Sequence, residues 1–75
     1  MTLGEYRVGM YFNPGGNPLV DLIKRKVADL IDLCESMRDS STDGEKARLI
    51  FLAQTHLENA AMWGVQAAMK ARRPE

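Results

Sequence analysis

The sequence is short of nearly everything that a small protein uses as a staple. A single cysteine, Cys34, in 75 residues excludes an intramolecular disulfide framework and lacks the companions that a structural zinc site needs. A chain of this length builds one small core, which usually needs help from a disulfide, a metal or a second subunit. With the first two absent, self-association is the expected support. Charge of one sign is missing too. Ten Lys and Arg stand against ten Asp and Glu, so the overall field gives duplex nucleic acid no long-range attraction and DNA is not an expected partner. No apolar run approaches the roughly 20 residues that cross a bilayer. Glu5 and Arg7 fall where a signal peptide would be continuously apolar. A cytosolic protein with no membrane partner is expected.

Catalytic and metal-binding groups are equally scarce. His56 is the lone histidine, without a Ser or Cys nucleophile at a recognisable spacing, so it reads as a structural or interface residue. Asp29, Asp32 and Glu35 fan around a helix without the His that a di-metal bundle uses, and they read as a solvated face. Met62 and Met69, one heptad apart, read as packing. Pro14, Gly15 and Gly16 lack the Lys and Ser or Thr of a phosphate loop. Cys34, at helical spacing from Leu30 and Ile31, reads as a reduced core thiol. No catalytic residue, metal ligand or cofactor is expected.

What is present is helix. Residues 1–17 combine Tyr6, Tyr11 and Phe12 with the loop formers Asn13, Pro14, Gly15, Gly16 and Asn17, and read as an ordered arm. Asn17 before Pro18 is a helix start, because Asn accepts from orphan amides and Pro at the first helical position has none to orphan. From Val20, the residues Ile23, Val27, Leu30, Ile31, Cys34 and Met37 recur at steps of three and four, predicting a buried face on a first long helix over 18–38. Leu22 and Leu33 add a second apolar edge that needs a partner. Asp39 to Gly44 ends this helix, and Thr42 with Glu45 matches a capping box for the next.

The short turn predicts two antiparallel long helices. The second, over 43–72, would run about 45 Å at about 1.5 Å per residue. Ala53, Leu57, Ala60, Gly64, Ala67 and Ala71 give it a small-residue stripe that allows close helix approach. Phe51, Met62, Val65 and Met69 form a second stripe, and Leu52 with Trp63 a third. One neighbouring helix cannot cover three apolar directions. The expectation is therefore a single all-α domain, an aromatic arm plus two long antiparallel helices, assembling into a homo-oligomer through Trp63, Leu52, Leu22 and Leu33.

Lys24, Arg25 and Lys26 form a basic run. Arg25 and Asp29 make an ordinary i, i+4 pair. Lys26 projects beside the Leu22 and Leu33 edge, where a partner chain should meet the helix. It is either a cation waiting for an anion or a side chain snorkelling over apolar neighbours. Tyr11, Phe12 and Tyr6 are suited to stacking on nucleobases and equally to clasping a hydrophobic surface.

The stretch Leu52-Ala53-Gln54-Thr55-His56-Leu57-Glu58-Asn59-Ala60-Ala61-Met62-Trp63, followed by Ala67, Ala68 and Lys70, resembles the terminal helix of the second described type of phage anti-CBASS sponge. Those small proteins sequester cyclic oligonucleotide signals of bacterial defence. The N-terminal half is similar as well, with an aromatic arm carrying Tyr11, then Asn13-Pro14 where relatives often have His-Pro, then a helix with a basic patch. The similarity spans about residues 6–71. Departures fall at Glu45 and Lys46, about one turn farther from the Leu-Ala pair than is usual, and at His56, which replaces a Lys.

The resemblance implies a compact helical homo-oligomer, typically a hexamer, acting without catalysis in the cytoplasm of the infected host. It would bury cyclic dinucleotides between protomers and, in some members, cyclic trinucleotides at separate sites. Tyr11 then matches the arm tyrosine that stacks on a base, and Lys26 the helix cation that meets a phosphate. Phe12 and Arg25 stand beside them as further ligand candidates. A helical interaction module that binds a larger protein through the Trp63 and Leu52 edge is the competing expectation.

Overall fold

The computed structural model describes residues 1–70, all of whose regular structure is helical: α1 (Leu3–Val8), α2 (Pro18–Ser36) and α3 (Gly44–Met69). Asn17 caps α2, its side chain accepting from Leu19 N at 2.9 Å, with Pro18 at the first helical position. Residues 37 and 38, expected to be helical, follow the end of α2 at Ser36. The turn is organised by Asp39, whose carboxylate accepts from the Ser41 amide and hydroxyl at 2.9 and 2.7 Å. The expected Thr42 cap is not made. Thr42 Oγ1 accepts instead from Asp39 N, and Asp43 caps α3 by accepting from Lys46 N at 2.8 Å. Ala71 and Arg72, assigned above to the second helix, lie outside the described residues.

The long helices form an antiparallel hairpin, because their contacts climb α2 as they descend α3. Asn17 Nδ2 donates to Ala68 O, a Cβ on Gly64 would meet Ile23 Cγ2 at 3.2 Å, and Gln54 Nε2 donates to Ile31 O. The core between them is Val20, Ala28, Ile31, Ile50 and Ala61. Four expectations about this core are corrected. Leu30 and Met37 are 46% and 45% exposed, since the buried face centres on Val20, Lys24, Ala28 and Ile31 and turns them outward. Cys34 is only half-buried. On α3 the packed face is centred on Ile50, Gln54 and Ala61, so Ala53, Ala60 and Ala67 lie exposed beside it. Asp32 and Glu35 are partly buried hydrogen-bond acceptors, not a solvated face.

The expected arm contains a helix that the aromatic and turn residues concealed. Thr2 Oγ1 accepts from Glu5 N at 3.1 Å while Glu5 Oε1 accepts from Thr2 N at 2.8 Å, a reciprocal capping box. Gly9 closes the helix at φ 65°, a left-handed conformation natural to glycine. Against α2 this short helix packs through Gly4, whose amide donates to Asp32 Oδ1 at 2.7 Å. Arg7 ties it to α3, donating to Glu58 Oε1 at 3.3 Å.

The resulting body measures 54 × 27 × 13 Å. All three helices touch one another, α1 lying against both members of the hairpin. The radius of gyration of 14.6 Å exceeds the roughly 11 Å of a compact chain of this length.

Candidate ligand site

Three consecutive cations on α2 have three different fates, and these define the site. Lys24 is buried, 6% exposed. Its ammonium donates to Gly9 O at 2.9 Å and to Phe12 O, and lies 5.8 Å from the centroid of the Phe12 ring. The next residue, Arg25, is half-buried and engaged, donating to Glu5 Oε2 and to Asp29 Oδ1 at 2.8 Å each. Lys26 is exposed and has no hydrogen-bond or ion-pair partner among the described residues.

Glu5 joins the arm to this row. Its carboxylate accepts from Thr2 N and from Arg25, and these two hydrogen bonds, the backbone one first, hold its pKa down to about 2. Burial opposes them. The Tyr11 hydroxyl donates to the same Glu5 Oε2 at 3.4 Å. Tyr6, Tyr11 and Phe12 are each about three-quarters exposed and, with Glu5 and Met10, border a hollow of about 340 Å³. A second groove of about 320 Å³ runs between α1 and α3, lined by Arg7, Lys24, Glu58, Met62 and Val65.

Lys26 is elsewhere. At about 100° per residue it points about 160° away from Lys24, and Lys24 is the residue that reaches the arm. Around Lys26 the same outward face of α2 carries Leu19, Leu22, Leu30 and Leu33, between 46% and 60% exposed. The arm of the same protomer therefore does not lie over the Leu22 and Leu33 edge. It is pinned to the Lys24 and Arg25 side by carbonyl and carboxylate contacts. Of the four ligand candidates, Tyr11, Phe12 and Arg25 are brought together within one protomer and Lys26 is not.

The interface candidates all remain accessible in the protomer: Trp63 is 67% exposed, Leu33 60%, Leu22 49% and Leu52 37%. Phe51, Met62 and Met69 of α3 are also exposed, and Met62 borders the groove beside the Arg7–Glu58 contact. Sequence reasoning missed Lys24, Glu5, Gly4 and Asp32. Signals for two of them were present: Thr2 and Glu5 have capping-box spacing, and Lys24 stands four residues from both Val20 and Ala28, on the core face.

Among the described residues no group of three or more His, Cys, Asp or Glu is placed to hold a metal, and no helix is long and apolar enough to cross a membrane. Comparison with curated proteins and with solved structures returns no match. A family model described as Acb2/Tad1, hairpin domain, matches residues 5–69, from the capping carboxylate of α1 to the last residue of α3. The chain thus belongs to the Acb2/Tad1 family, the anti-CBASS sponges that its long second helix resembles.

Proposed function

We propose that this protein binds cyclic dinucleotides without turning them over, and so withholds them from a bacterial defence system in the cytoplasm of the infected cell. Tyr11 stacks on a base and Lys26 meets a phosphate. Phe12 and Arg25 lie beside Tyr11 on the arm side of the site. The observation that carries this reading is the placement of Lys26, an exposed cation with no described partner, ringed by Leu19, Leu22, Leu30 and Leu33. A phosphate held there under a second protomer would be partly desolvated, which strengthens charge-assisted hydrogen bonds.

Because Lys26 points away from the arm of its own protomer, the Tyr11 that completes its site belongs to a neighbour. A two-fold axis would then supply two rings and two cations to a ligand with two bases and two phosphates. The elongated body and the exposed Trp63, Leu52, Leu22 and Leu33 support assembly, and a hexamer, with cyclic trinucleotides at separate sites in addition, is the form suggested by the family. Sequestration works only while sites outnumber signal, which favours a small, abundant chain.

Thermal melting in the presence of cyclic di-GMP, cyclic GMP-AMP, a cyclic trinucleotide and the linear dinucleotide pGpG tests the reading. A ligand that binds only the folded state raises the midpoint, by about 2.7 kcal/mol of stabilisation at a hundred times its dissociation constant. The cyclic compounds raise it and pGpG does not. If none does, the exposed Trp63 and Leu52 edge favours a helical module that docks on a larger protein.

A further inference from the structure

The first of the three cations presents a problem of its own. Lys24 stands on the core face of α2 with Val20, Ala28 and Ile31 as its buried neighbours there, yet among the described residues no carboxylate pairs with its ammonium. A buried charge satisfied only by neutral groups is costly, and an apolar residue would suit the position better. Those neutral groups are specific: the carbonyls of Gly9 and Phe12, which bracket Tyr11 in the chain, and the Phe12 ring face at 5.8 Å, within the roughly 6 Å at which a cation and a ring attract. Met10 N to Glu5 O and Phe12 N to Gly9 O complete a tight turn over the same point.

We propose that Lys24 is the positioning residue of the ligand-binding arm: its ammonium clamps the backbone on both sides of Tyr11 and so holds the Tyr11 and Phe12 rings outward, ready to stack. It does not itself touch the ligand. The proposal rests on the reading of Tyr11 as a base-stacking ring. Without the clamp, the turn from Gly9 to Phe12 keeps one backbone hydrogen bond and samples other conformations, and apparent affinity falls in proportion to the lost population of the competent one.

The test is Lys24→Met, which keeps an unbranched side chain without the ammonium and suits the core, combined in a cycle with Tyr11→Ala. Binding of cyclic di-GMP and cyclic GMP-AMP is measured by calorimetry, and amide exchange is followed across residues 9–12. Lys24→Met is expected to lower affinity about ten-fold in the parent and less than about three-fold in the Tyr11→Ala background, since the two residues act through one ring. Exchange at Met10, Tyr11 and Phe12 accelerates while helicity is kept and the melting temperature does not fall. A lysine whose hydrogen bonds only stabilised the fold would, on replacement, lower the melting temperature and leave the cycle additive. Parent-like affinity in Lys24→Met, or equal losses in both backgrounds, overturns the proposal. Failure of the parent to bind either nucleotide sinks the functional reading and the ligand role of Lys24 with it, and amide exchange still decides separately whether Lys24 holds the arm.

Discussion

A Cβ atom on Gly4 would stand 2.1 Å from the carbonyl oxygen of Ala28. The backbones of α1 and α2 thus touch where they cross, and only glycine fits. Gly4→Ala must push α1 off α2, break the Gly4 amide bond to Asp32 and carry the arm away with it. Overpacking of this kind costs about 1–3 kcal/mol. Urea denaturation measures the loss, and amide exchange is expected to place it in residues 2–12 before the hairpin.

The same docking is weakened by acid. Glu5 has a pKa of about 2 in the folded chain against an ordinary 4.5. A depressed carboxylate contributes stability that is present above its unfolded pKa and is lost as pH falls through the folded one. Docking of α1 is therefore complete above about pH 4.5 and weakens between 4.5 and 2. Glu35, lowered by hydrogen bonds from Gln54 and Arg38, weakens the hairpin in the same direction. A carbon-detected titration of the Glu side chains checks this, and an ordinary midpoint for Glu5 would contradict it.

Trp63, two-thirds exposed in the protomer, separates assembly from folding. If it anchors subunit contacts, Trp63→Ala weakens association by about 2–4 kcal/mol, as truncation of a buried interface aromatic does, and leaves the hairpin helical. Sedimentation across a concentration series reads the first and circular dichroism the second. Parent-like sedimentation would make Trp63 peripheral to the assembly.

Much of the architecture was legible because the signals were local. Asn17-Pro18 and the run from Asp39 to Gly44 mark where the long helices begin and end within a residue or two, and the three-four periodicity of α2 identified Val20, Ile23, Val27 and Ile31 as facing inward. The centre of that face was misplaced by one position. Leu30 is more apolar than Lys24, and composition alone cannot reveal that two carbonyls wait for the lysine. The arm was harder still. Six residues of helix carry too few turns for periodicity, and Gly4, which allows the crossing, looks in sequence like a breaker. For the proposed site, the sequence offers Tyr11 and Lys26 as candidates one at a time. Their opposed directions depend on how α1 packs, which no local pattern encodes.

The central claim is a cyclic dinucleotide held between Tyr11 of one protomer and Lys26 of another, and calorimetry on mixed assemblies tests it most directly. Tyr11→Ala alone should cost about 1–3 kcal/mol of affinity for a stacked base, and Lys26→Ala about 2–5 kcal/mol for a desolvated charge partner. Helicity and assembly should be unchanged in both. Co-assembling the two variants leaves a mixed two-fold site one intact Tyr11–Lys26 pair and one lost pair, and a fraction of sites with affinity for cyclic di-GMP or cyclic GMP-AMP restored above that of Lys26→Ala alone is the predicted result. Parent-like binding by each single variant, or no restored fraction on mixing, would contradict the account.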